Sequence, residues 1–89
     1  MESIKAPMRT AAVRDPRKNP KPGDIHAGPV VKLRVDRAMY GIGDVLEYVE
    51  CSICHRDNDD FNGNRKFTPE QFEKFVTGEK SEVLHVVAS

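Results

Sequence analysis

Eighty-nine residues leave room for one small domain and exclude a two-domain enzyme. Only 38% of them are hydrophobic and 7% aromatic, with no Trp, while 31% are charged, so large core anchors are few and the fold must be lean. Two cysteines cannot supply a disulfide scaffold, no apolar run approaches the roughly 18 residues of a membrane span, and the opening MESIKAPMRT lacks a secretory h-region. The expectation is a cytoplasmic chain with reduced thiols and no membrane partner.

The zero net charge hides an asymmetry. Residues 1–22 carry six basic groups (Lys5, Arg9, Arg14, Arg17, Lys18, Lys21) against Glu2 and Asp15, a net of +4. Residues 23–89 carry eight basic and twelve acidic groups, a net of −4. The first stretch has no hydrophobic period, and its end, DPRKNPKPGD, is punctuated by Pro16, Pro20 and Pro22, which push the residues before them toward extended conformations. This predicts a flexible basic arm over 1–22 and a single α+β domain over 23–89.

Within the domain, a weak strand is expected at 24–26. From residue 30, Val31, Leu33 and Val35 alternate with Lys32, Arg34 and Asp36, the period of a half-buried strand continuing toward Tyr40. Gly41 and Gly43 allow a reversal, and residues 44–53, rich in Val, Ile and Tyr, read as the second arm of a hairpin. Its apolar residues lie on both sides, as in a curled sheet.

Thr68, Pro69 and Gln71 form the start signals of a helix near 68–77, with Phe67 and Phe72 at the spacing of a hydrophobic staple. Phe72, Phe75 and Val76 share one helical face, and Gly78 supplies a left-handed stop. The β-branched run at 83–87 reads as a last strand. The order (β)ββαβ suggests a small, strongly bent antiparallel sheet or an SH3-like open barrel that buries Leu33, Val35, Phe72, Phe75 and Leu84.

CSICH, from Cys51 to His55, has the spacing of a c-type haem attachment site, but such attachment belongs to exported proteins. Cys51 and Cys54 also have the pair spacing of a structural zinc site that His55 could extend, although no second pair follows. Strand alternation accounts for Cys51 as a small inward hydrophobe, so no cofactor is expected, with zinc as the alternative. The segment with Asp57, Asp59 and Asp60 is a near miss for a calcium loop, because the position of the bidentate glutamate falls on Pro69. It reads instead as a solvated acidic connection of about a dozen residues suited to contacting a partner. His85, among valines, is expected as a half-buried imidazole. No phosphate loop, nucleophile elbow or paired-ligand helix is present, and an enzyme is not expected.

DPRKNPKPGD and KFTPEQFEKFVTG together resemble a loose group of small bacterial and bacteriophage proteins that open with Asp-Pro-Arg and Pro-Gly-Asp and continue as a β meander. The resemblance implies a short accessory protein without catalytic motifs, acting by binding a host protein. The leading expectation is therefore a non-enzymatic protein-binding module with two contact elements, the acidic loop (Asp57, Asp59, Asp60) and the basic arm (Arg9, Arg14, Arg17, Lys18, Lys21). The alternatives are nucleic-acid binding through that arm and a zinc-stabilised domain. The expected assembly is a monomer or a homodimer paired through an exposed sheet edge such as residues 83–87.

Overall fold

The structure, a computed structural model, describes residues 14–88. Six main elements follow one another: β1 (Ile25–Ala27), β2 (Val31–Tyr40), β3 (Leu46–His55), β4 (Asn62–Phe67), α1 (Pro69–Val76) and β5 (Glu82–His85). The strands form one antiparallel sheet in the order β4-β3-β2-β1-β5. Strands β1 to β4 are a meander, and α1 then carries the chain back so that β5 joins the outer side of β1. Among the described residues the sheet has two free edges, β4 and β5, and is not closed into a barrel.

The β2–β3 hairpin is its centre. Apolar alternation builds it, and a tight turn over residues 41–45 closes it, with Gly43 and Asp44 both at positive φ (78° and 60°). Register shifts at Val35/Arg37 and Met39/Tyr40 in this pair, and at Cys51/Ile53 against β4, are the points where a sheet bends. Leu33, Val35, Val49 and Cys51 face α1 and meet Phe72 and Val76, with Ile53, Phe67 and Phe75 packed around them. On the opposite face Ala27, Lys32, Ser52 and Cys54 are buried as well, which is the two-sided covering that the mixed pattern of β3 implies.

The helix starts where the sequence says. Thr68 Oγ1 accepts from the Gln71 amide at 3.1 Å, and the Gln71 side chain accepts from the Thr68 amide at 3.0 Å. Thr68→Ala leaves the Gln71 amide without that acceptor and is expected to cost about 1 kcal/mol, read as a lower midpoint in a urea melt followed by circular dichroism. The helix ends differently from the expectation. Gly78 is not left-handed; Thr77 bonds back to the Glu73 carbonyl, and Ser81 Oγ and Arg17 Nε both donate to the Val76 carbonyl, at 2.7 and 3.1 Å. Side chains from outside the helix thus satisfy the last turn, so no glycine stop is needed.

Three further expectations change. Residues 62–67 form a strand, not a continuation of the acidic loop, so the order is ββββαβ. Asn62, Gly63, Asn64, Arg65 and Lys66 are all exposed, and a strand with no buried side has no alternation to betray it. Leu84 is turned outward at 47% exposure and His85 is exposed, because the β1–β5 register steps from Ile25↔His85 to His26↔Val83 and leaves Leu84 as the extra residue of a bulge.

Finally, the segment read as a loose arm belongs to the folded unit from Arg14 onward. The Asp15 carboxylate accepts from the Arg17 amide at 2.9 Å, and the Asp15 carbonyl accepts from the Asn19 amide at 2.8 Å. Asp15-Pro16 therefore opens one helical turn in the way that Thr68-Pro69 opens α1. Pro20 is buried, and its carbonyl accepts from the Tyr40 hydroxyl at 2.8 Å.

Candidate partner-binding surface

The strongest polar constellation lies at the start of β1. Asp24, fully buried, accepts from Arg14 Nη1 and Nη2 (2.6 and 2.9 Å) and from the backbone amides of Lys21 (2.9 Å) and Val87 (3.0 Å). Arg14 also donates to the Val87 carbonyl at 2.6 Å. Burial alone would raise the Asp24 carboxyl, but the bonds from Arg14, Val87 and Lys21 overcome it and hold the group below its ordinary value. Gly23 lets the backbone in here: its φ is 103°, and a Cβ would stand 2.5 Å from Val87 Cγ2. This hub ties the N-terminal segment, β1 and Val87 together, and its buried carboxylate, with four hydrogen bonds, makes it structural. Arg14 is accordingly not available to a ligand, and Arg17 is engaged at the end of α1. Lys18 and Lys21 make no side-chain ion pair among the described residues, and Arg9 lies outside them.

The two cysteines do not converge. At positions i and i+3 of one strand they project to opposite faces; Cys51 is in the core under α1, and Cys54 Sγ donates to the Asn58 carbonyl at 3.3 Å on the other side. Burial, aided by the charge of Asp36, pushes the Cys51 thiol up to about 12, which keeps it protonated and inert. His55 is exposed and turned to the acidic loop, its Nδ1 accepting from the Asp57 amide at 3.2 Å. Among the described residues no group of three or more His, Cys, Asp or Glu side chains is placed to hold a metal ion.

The acidic loop is shorter than expected, residues 56–61, and only part of it is free. Asp59, although 97% exposed, receives Lys32 Nζ at 2.8 Å, and that bond together with the lysine charge holds its carboxyl below the ordinary value. Phe61 lies against the cations of Lys32 and Arg34, 5.5 and 5.2 Å from its ring centre. Asp57 and Asp60 remain turned to solvent.

Arg56 joins this loop to the β5 side of the sheet. Its amide donates to the Val30 carbonyl at 2.9 Å, its Nη1 to the Gly28 carbonyl at 2.6 Å, and its Nη2 pairs with Glu82. Val30 stands 61% exposed in the β1–β2 turn, and Leu84 and Val86 stand 47% and 45% exposed along and just beyond β5. Arg56 therefore brings exposed Val30 and the exposed acids Asp57 and Asp60 of its own loop to the start of β5, which carries exposed Leu84 two residues beyond Glu82. The sequence singles out Asp57 and Asp60 but not the aliphatics, since Leu84 reads as core until the bulge is seen.

Comparison with protein-family models, with curated proteins and with solved structures finds no match for the chain. Among the described residues no helix is long and apolar enough to cross a membrane.

Proposed function

We propose that this chain is a non-enzymatic protein-binding module whose contact surface is the side of the sheet organised by Arg56. The observation that supports this reading is that Arg56, bonded to the Gly28 and Val30 carbonyls and paired with Glu82, brings exposed Val30 and the exposed acids Asp57 and Asp60 to the strand that carries exposed Leu84. Its partner is a protein surface with an apolar anchor site and basic margins. A host protein as that partner, and a bacteriophage origin for the chain, rest on the sequence resemblance.

A homodimer through a sheet edge is a poorer fit. β5 has four residues and a bulge, and β4 offers a polar, basic edge; both features discourage strand addition. Nucleic-acid binding through the arm is weakened by the engagement of Arg14 and Arg17 in the fold.

Leu84→Lys tests the reading, because an exposed side chain can be changed with little effect on stability. The expected result is that the wild-type chain retains a stoichiometric protein from a cell extract at physiological salt. The variant should bind the same protein at least ~10-fold more weakly, the loss of about 1.4 kcal/mol, with an unchanged melting midpoint. Equal retention by both, or a complex dissolved by nuclease, removes the reading.

A further inference from the structure

Among the described residues His26 is the one buried polar side chain with no hydrogen bond at all. It is 1% exposed, stacks edge-on against Phe72 of α1 with ring centres 5.5 Å apart, and neither ring nitrogen has a hydrogen-bond partner among the described residues. A histidine used only as filling is an expensive choice at such a place, since each buried, unsatisfied nitrogen costs desolvation that an apolar side chain avoids.

The groups facing it define what its charge would do. Burial is the first cause that pushes His26 below its ordinary value. The Asp24 carboxylate opposes this, but its lone pairs are already taken by Arg14, Lys21 and Val87, and the charges of Arg17 and Arg14 add to the depression. The Pro16 carbonyl favours the charged ring without reaching hydrogen-bond geometry. Phe72, from α1, offers no acceptor. Of these, Arg14, Pro16 and Arg17 all belong to residues 14–20. Beyond the Arg14–Asp24 anchor, residues 15–20 are held by two polar contacts, Arg17 on the Val76 carbonyl and the Pro20 carbonyl on Tyr40.

We propose that residues 15–20, anchored by the Arg14–Asp24 pair, form an acid-operated latch beside His26, which opens when the imidazole takes up a proton and so releases Arg17 and Lys18 from the folded unit as a basic loop. The sign follows from linkage. His26 binds its proton more weakly when covered than when free, so closure is favoured above the free value of about 6.5 and is progressively lost below it. If the ring stays neutral while covered, opening at pH 5.0 is favoured by up to ~30-fold relative to neutral pH, the proton occupancy of a free imidazole at that pH. This inference does not depend on the Arg56 surface.

Amide exchange on the full chain at pH 7.5 and 5.0, expressed as protection factors, tests it. The amides of Arg17, Lys18 and Asn19, which bond to Asp15, report the latch; those of Val35, Val49 and Cys51 report the sheet. Latch protection is expected to fall by about 10-fold or more on acidification while sheet protection falls less, and in His26→Leu the latch amides should lose this dependence. Equal loss in latch and sheet, or an undiminished pH effect in His26→Leu, overturns the proposal. Because the variant also changes a core position, a second readout uses the wild type alone. The His26 ring resonances should titrate below 6.5 with the same midpoint as the shifts of residues 15–19. A ring that titrates at the ordinary value while those residues do not move refutes the latch.

Discussion

Arg14→Leu is expected to remove about 3–5 kcal/mol of stability, more than any other single change at a polar side chain of this chain, because it strands a buried carboxylate. Asp24 is fully buried, and two of its four hydrogen bonds come from the Arg14 guanidinium. Without that partner the two remaining amides, of Lys21 and Val87, must hold a desolvated charge alone. The carboxyl then rises from its depressed value, and the group either protonates or pulls the N-terminal segment and the end of β5 into water. A domain of this size has only about 5–15 kcal/mol in total, and each kcal/mol moves its melting temperature by about 4–8 °C. The fall should therefore be on the order of 15 °C or more by calorimetry at pH 7. Arg14→Lys keeps the charge and loses the two-pronged geometry, and should fall between the two. The pair's contribution is present above the ordinary carboxylate range and disappears as pH falls through the lowered Asp24 value, so wild type and Arg14→Leu should converge in strong acid. A variant that melts within 3 °C of the wild type, or a gap unchanged by acid, contradicts this account of the hub.

Phe72→Ala should cost a similar ~3–5 kcal/mol for an apolar reason. Phe72 is the largest fully buried side chain, lies in the core cluster with Leu33, Val35, Val49, Cys51 and Val76, and supplies the ring against which His26 rests. With few aromatics in the chain, no neighbour can fill the space, and an eight-residue helix has little stability apart from this face. Phe72→Leu, which keeps most of the volume, should cost less than half as much. Urea midpoints with unchanged slope would measure both; an alanine variant within 1 kcal/mol of the wild type would show that α1 is not what closes the core.

Parts of this fold were legible because local signals coincide there. Thr68, Pro69 and Gln71 mark one helix start by three separate mechanisms, and the alternation of 31–35 fixes the inner face of β2. The hub was not legible, because its members, Arg14, Asp24 and Val87, are far apart in the chain, and the prolines between the first two suggested an extended tail. Pro16 in fact occupies the first position of a turn capped by Asp15, the same device recognised at Thr68-Pro69, hidden by the charges around it. β4 carries no hydropathy signal, since strand pairing alone, with no buried run, defines it. Of the candidate contact residues, Asp57 and Asp60 are found in solvent as expected, while Asp59, Arg14 and Arg17 have partners within the chain. Leu84 shows the limit most simply: one extra residue in a bulge decides whether an apolar side chain is core or surface, and hydropathy does not register it.

The hub also constrains when this molecule can exist at all. Val87 reaches Asp24 across 63 residues and Arg14 across 73, so the three-residue β1 has nothing on its outer flank until residues 82–87 are in place. Long-range closures of this kind slow folding, because the chain must surrender its freedom before the contacts that reward it can form. The meander of β2 to β4 pairs strands that are neighbours in sequence, whereas the outer flank of β1 depends on contacts 63 and 73 residues long, so that closure is the late step of folding.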